Sequence, residues 1–157
     1  MHKLQITAFA IFVTAVVGVT REAVPYPEGY RHWVHVKTGL IGPDSPMHAT
    51  VGGFHHVYAN APALRGYETR RFPEGSVLVF DRLDVRTSGG ATAEGPRLTV
   101  DVMVRDSTRF ASTGGWGFER FRGDTKERIV ADKAATACFS CHAGKRDQGF
   151  VFSDFRR

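Results

Sequence analysis

The chain has 157 residues, 42% of them hydrophobic and 24% charged. That balance suits a globular domain with its own core and excludes a disordered chain. The net charge is +5, yet the cations are dispersed among acids with no Lys/Arg run longer than a doublet, which speaks for a mildly basic solvated surface and against a nucleic-acid footprint.

The N-terminus differs from the rest. His2 and Lys3 precede an almost wholly apolar run, LQITAFAIFVTAVVGV over residues 4–19, closed by Arg21 and Glu22. A positive start followed by such a run reads as a secretory signal, although the run is long for a signal core and short for a spanning helix. A buried core helix is a poor reading because no polar face is present. Residues 1–23 are therefore expected to be a signal peptide or an uncleaved N-terminal anchor. Residues 24–157 are expected to be the domain, carried across a membrane into the periplasm.

Tyr30 to Leu40 (YRHWVHVKTGL) is expected to form a short helix. Beyond it the apolar pattern has period two. Thr50–Asn60 is strand-like and contains His55 and His56, which as neighbours on a strand point to opposite faces. Ser76–Val85 places Leu78, Phe80 and Arg82 on one face and Val77 and Val79 on the other. Thr87–Glu94 is expected to be an exposed hairpin loop. Arg97–Asp106 alternates Leu98, Val100, Val102 and Val104 with polar residues, and Trp116–Phe121 reads as a further short strand. The turn signals between them (Phe72–Gly75, Ser88–Gly90, Gly95–Pro96 and Gly114–Gly115) are short enough to imply an antiparallel sheet. Arg128–His142 is rich in helix formers and free of Gly and Pro, with Gly144 as its stop. Phe150–Phe155 (FVFSDF) alternates as an edge strand would. The fold expected is mainly β (α+β): an antiparallel sheet with a short N-terminal helix and a C-terminal helix.

The chemistry concentrates in Ala137-Cys138-Phe139-Ser140-Cys141-His142. C-x-x-C-H is the attachment signature of c-type haem. Residues three apart on a helical turn face one side, so both thiols can reach the vinyl groups of one ring. The histidine directly after the second cysteine is then placed to ligate the iron. A thioredoxin-like redox pair and half of a zinc site are the other uses of CxxC. The first belongs near the N-terminus of a βαβ unit, and the second wants another ligand pair. The reading is one covalent haem c on Cys138 and Cys141, with His142 as iron ligand. His55, His56, Met47 and Met103 are candidate sixth ligands. Asp101, Glu119 and Arg105 are the polar groups expected nearest a pocket.

The segments YRHWVHVKTGLI, GGFHHVYAN, RFPEGSVLVFD, EGPRLTVDVMVRD, TGGWGFERF and CFSCH, in this order, resemble the cytochrome P-460 and cytochrome c′-β family. The resemblance runs from about Tyr26 to the C-terminus. It implies a homodimer with a five-coordinate haem, ligated by His142 and open on its distal side. In one branch of the family the haem is cross-linked to a lysine from the sheet and oxidises hydroxylamine. In the other, phenylalanines cap a haem that binds nitric oxide or carbon monoxide. No lysine occurs between Lys37 and Lys126, so the strand region as predicted lacks a cross-linking lysine. Phe80 and Phe54 are the analogous cap residues, ahead of Phe72 and Phe118. Three functions stay open: a gas-binding cytochrome, a hydroxylamine-oxidising enzyme and an electron carrier.

Overall fold

A computed structural model describes residues 23–155; the apolar segment read as a signal or anchor lies outside them except for Ala23. Five strands form one antiparallel sheet in sequential order: β1 Val34–Ile41, β2 Gly53–Ala59, β3 Val77–Ser88, β4 Ala91–Arg105 and β5 Trp116–Arg122. The α-helices α1 (His48–Val51) and α2 (Ala61–Thr69) flank β2. Asn60 starts α2: its side-chain oxygen accepts from the Ala63 N–H at 3.0 Å, and Pro62 occupies the first turn. The same oxygen accepts from the Val77 N–H, so one cap also fixes where β3 begins.

The registers define two faces. Opposed residues on neighbouring strands share a face, and the face alternates along each strand. One face carries His55 and Val57 of β2, Leu78, Phe80 and Arg82 of β3, Thr99, Asp101 and Met103 of β4, and Phe118 and Arg120 of β5. Its core includes Val57, Leu78, Phe72, Trp116, Phe118, Phe150 and Val151, with Phe80, Met103, Cys138 and Phe139 packed against them. Cys138 of the CxxCH motif packs on this side, the candidate attachment face. The other holds a second core of Val24, Tyr30, Val79, Val100, Val102 and Phe121.

The antiparallel α+β class is as expected; several local readings are corrected. Gly95–Pro96, expected to be a turn, lies inside β4. Tyr30–Leu40 is not a helix. Only Tyr30–His32 coils, as a 3₁₀ turn, and Val34–Ile41 is a strand paired along β2. Its β-branched residues suit a pleated surface, and a bulge between His35 and Lys37 lets Val36 reach the core. Lys37 therefore does lie within the sheet, opposite Val57, which overturns the statement that the strand region has no lysine.

Thr87–Glu94 is exposed but is no loop. Thr87 pairs with Thr92 and Ser88 with Ala91, and the turn is Gly89–Gly90 alone. Both glycines have positive φ, 59° and 81°, as a two-residue hairpin turn requires.

Arg128–His142 is not one helix. The Glu119 carboxylate accepts from the Val130 and Ala131 N–H groups. Ala131 has φ 39°, so regular winding cannot begin before it. The segment then coils in pieces: Ala131–Lys133 as 3₁₀, Ala135–Phe139 as a π turn, α3 at Ser140–His142, and Ala143–Gln148 as 3₁₀. The stop is Gly149, at φ 68°, not Gly144.

Phe150–Phe155 forms no strand. Phe150 follows Gly149 into the left-handed region with φ 66°, and carbonyls in the tail and just before it are taken by side chains. Trp116 Nε1 donates to the Gly149 carbonyl at 3.1 Å and Arg70 to the Ser153 carbonyl at 3.0 Å.

Candidate haem-attachment site

The change from π to α winding falls inside the motif. Cys138 lies in the π turn and Cys141 in α3, three residues apart on continuous right-handed backbone, so both thiols fall near one side of the coil. Cys138 is partly buried against the attachment-face core, while Cys141 is exposed. Burial, with Asp101 nearby, pushes the Cys138 thiol up to about 11, against the opposing pull of Arg120. A redox nucleophile of the thioredoxin kind needs the reverse, a lowered thiol pKa. Among the described residues no group of three His, Cys, Asp or Glu side chains comes together to hold a metal ion. The geometry thus favours attachment over dithiol exchange or a zinc site.

His142 is oriented from behind. Its Nδ1 donates to the Phe150 carbonyl at 2.7 Å, which fixes the tautomer and leaves Nε2 as the basic nitrogen. Burial lowers its pKa and favours the neutral, ligating form. The imidazole lies between Phe118, at 5.0 Å between ring centroids, and Phe152, at 4.9 Å. The left-handed turn at Gly149–Phe150 that removes the expected strand is what aims this carbonyl. The tail is itself tied down, because the Tyr67 hydroxyl meets Ser153 Oγ at 2.7 Å and Arg70 also pairs with Asp154.

These residues fit a haem c. Cys138 and Cys141 would hold the ring through thioethers and His142 Nε2 would hold the iron. The attachment face supplies apolar wall from Phe80, Met103 and Phe118. When bound, the group supplies a redox-active iron able to take a small ligand.

The predicted residues separate. Phe80 lies on the attachment face. Phe54 is opposed to Leu83 and lies on the other face, so the chain does not bring the two together. The ring that meets Phe80 is His55, stacked at 4.5 Å between centroids with an interplanar angle of 15°. His55 and His56 do point to opposite faces, but the inward one is not hydrogen-bonded as a core histidine would be. His55 Nδ1 is buried with no hydrogen-bond partner. Burial, with Lys37 and His56 adding to it, lowers His55 to about 4. His56 instead has both nitrogens matched, to Thr38 and Glu94, each at 2.8 Å.

The other candidates also resolve. Met103 is half-buried in the attachment-face core and Met47 is exposed. Phe72 is in the core, in edge contact with Trp116. Asp101 takes Arg120 on both oxygens, with Nε at 2.8 Å. Glu119 is fully buried, binding Arg128 and capping the approach to the motif. Arg105 donates to the Gly114 carbonyl. Sequence reasoning missed the Phe150 carbonyl, whose only signal was Gly149 before an aromatic, and Gly39, which faces the His55 ring.

No curated protein matches the chain. The profile of the family described as Cytochrome P460 matches residues 27–153, a span that holds every strand, the CxxCH turn and the carbonyl that orients its histidine. With that match over most of its length, the chain belongs to the cytochrome P460 family and is a c-type cytochrome carrying one covalent haem c.

Proposed function

We propose that this cytochrome is exported to the periplasm, works as a homodimer, and uses a five-coordinate haem to bind a small gaseous ligand, nitric oxide or carbon monoxide. The observation that carries the reading is Phe80. It lies on the face against which Cys138 packs, in the core that includes Phe118, the ring beside His142. An aromatic wall excludes water and favours small neutral ligands over hydrated ones. Phe54, on the far face, is not part of this wall.

A second reading, oxidation of hydroxylamine by a lysine-linked haem, has Lys37 behind it. Lys37 stands in β1 opposite Val57 and lies close enough to His55 for its charge to lower that ring's pKa. Visible spectra of the protein matured in a host that attaches c-type haem decide between them. A high-spin five-coordinate ferrous spectrum that changes on adding nitric oxide is expected. A long-wavelength Soret band, lost in Lys37→Arg, would establish the cross-linked enzyme instead. A low-spin six-coordinate spectrum indifferent to nitric oxide would overturn both and leave an electron carrier.

A further inference from the structure

His55 is held in place from two sides. Its ring lies flat on Phe80. Across the strand pair, Gly39 of β1 faces it, and a Cβ at Gly39 would come within 2.6 Å of both Cε1 and Nε2. Gly39 has no positive φ, so its backbone does not require glycine. The missing side chain makes room for the imidazole. The seat therefore fixes the ring plane and still leaves Nδ1 buried with no partner. Buried polar atoms in native proteins are nearly always matched, so an exception in so constrained a ring calls for a partner that the chain does not supply.

The position suggests that partner. His142 touches β5 through Phe118. On the same face, Phe80 stands on β3 and His55 on β2, two and three strands away. A haem held at Cys138 would lie on this face between them. The charged neighbours of His55 on this face are Lys37 on β1 and Arg82 on β3, both cationic. Arg82 is occupied by Thr99 Oγ1 at 3.2 Å and by the Thr50 carbonyl at 3.2 Å. The carboxylate of this face, Asp101, is taken by Arg120.

We infer that His55 is the hydrogen-bonding member of the distal wall, held flat on Phe80 so that Nδ1–H meets a ligand bound at the iron. The wall is then mixed: Phe80 excludes water, and His55 selects a ligand whose outer atom carries partial negative charge, such as a nitrogen oxide, over an apolar one. The inference rests on the open distal position proposed above.

The test is vibrational and needs no turnover. The ferrous carbon monoxide adduct is compared in wild type, His55→Phe and His55→Asn. Phenylalanine keeps the stack and removes the donor, whereas asparagine places an N–H near the position of Nδ1. The C–O stretch is expected to rise in His55→Phe and to stay near the wild-type value in His55→Asn. Dissociation of nitric oxide is expected to quicken about fivefold in His55→Phe, the fold-change of one hydrogen bond of about 1 kcal/mol. In wild type alone, exchange into D₂O is expected to shift the iron–ligand stretch, so the test survives a variant that does not mature. A five-coordinate protein whose C–O stretch ignores both substitutions and D₂O overturns the inference and leaves the gas-binding reading intact. A six-coordinate ferrous wild type that becomes five-coordinate in His55→Phe makes His55 an iron ligand and overturns both.

Discussion

Two adjacent histidines on β2 mark the difference between the faces of the sheet. His56, on the far face, is matched at both nitrogens by Thr38 and Glu94. His55, one residue earlier, is half-buried, with its Nδ1 buried and unmatched. The contrast extends outward. On the far face Asp81 is fully buried, yet it accepts from Tyr30 at 2.8 Å, Arg97 at 2.6 Å and Arg31 at 3.2 Å. On the attachment face Thr99 and Asp101 are matched, to Arg82 and Arg120, but burial raises the Cys138 thiol and His55 Nδ1 is left unmatched beside an aromatic wall. One face resolves its buried carboxylates with its own atoms and serves as scaffold. The other leaves a thiol and an imidazole nitrogen that a cofactor would complete.

The largest expected effect belongs to the attachment face. Replacing Cys138 and Cys141 together with alanine removes both thioethers. Haem staining after denaturing electrophoresis should be lost completely, while the far-face network stays intact; retained covalent haem would refute the attachment reading. Next is Asp81→Ala, which removes a fully buried acceptor of the far face and leaves Tyr30 unmatched and Arg97 with Asp124 alone. About 3 to 5 kcal/mol of stability should disappear in chemical denaturation. A loss under 1 kcal/mol would show that the two faces do not differ as described.

Gly39→Ala comes third. The added methyl group meets the His55 ring, and overpacking of this kind costs about 1 to 3 kcal/mol. The ligand-stretch signature of His55→Phe should appear with it, because the ring is displaced. A change in stability without the spectral change would separate the seat from the ligand. The smallest effect is in pH. His55 has a folded pKa lowered from 6.5 to about 4, so the unfolded chain binds the extra proton first. Its contribution to stability is present above pH 6.5 and is lost as pH falls from 6.5 toward 4. The ring is only half-buried, so the loss is smaller than the full shift implies. In haem-loaded protein, where His142 would be ligated and would not titrate, wild type should lose more stability over that range than His55→Phe. Parallel curves would mean that His55 is not desolvated.

Strands β2 to β5 were readable in the sequence because side chains alternate between the two faces of a strand, so each core-facing set recurs with period two. The helix expected at Tyr30–Leu40 failed because β1 is an edge strand with a bulge at Val36, and the bulge breaks the alternation that would have revealed it. That error also hid Lys37 from the reasoning about cross-linking. The motif at Cys138–His142 is local chemistry at fixed spacing and could be read without any fold. The cap could not, because Phe54 and His55 differ by one position and a strand sends neighbours to opposite faces. Only the register decides which residue meets Phe80. The tail misled for a related reason: FVFSDF alternates, but its Phe150 and Ser153 carbonyls are taken by His142 and Arg70, partners distant in sequence or folded back across a left-handed turn.

The bond from His142 Nδ1 to the Phe150 carbonyl has a consequence for biosynthesis. His142 is translated before the residue that orients it, and that residue is held by a tail anchored to Tyr67 and Arg70, made long before either. A chain whose tail has not yet folded offers both thiols of CxxCH but an imidazole free to turn. The imidazole becomes directional only when the following residues fold back across the domain, so an early stop between His142 and Phe150 is expected to leave both thiols in place and the histidine unaimed.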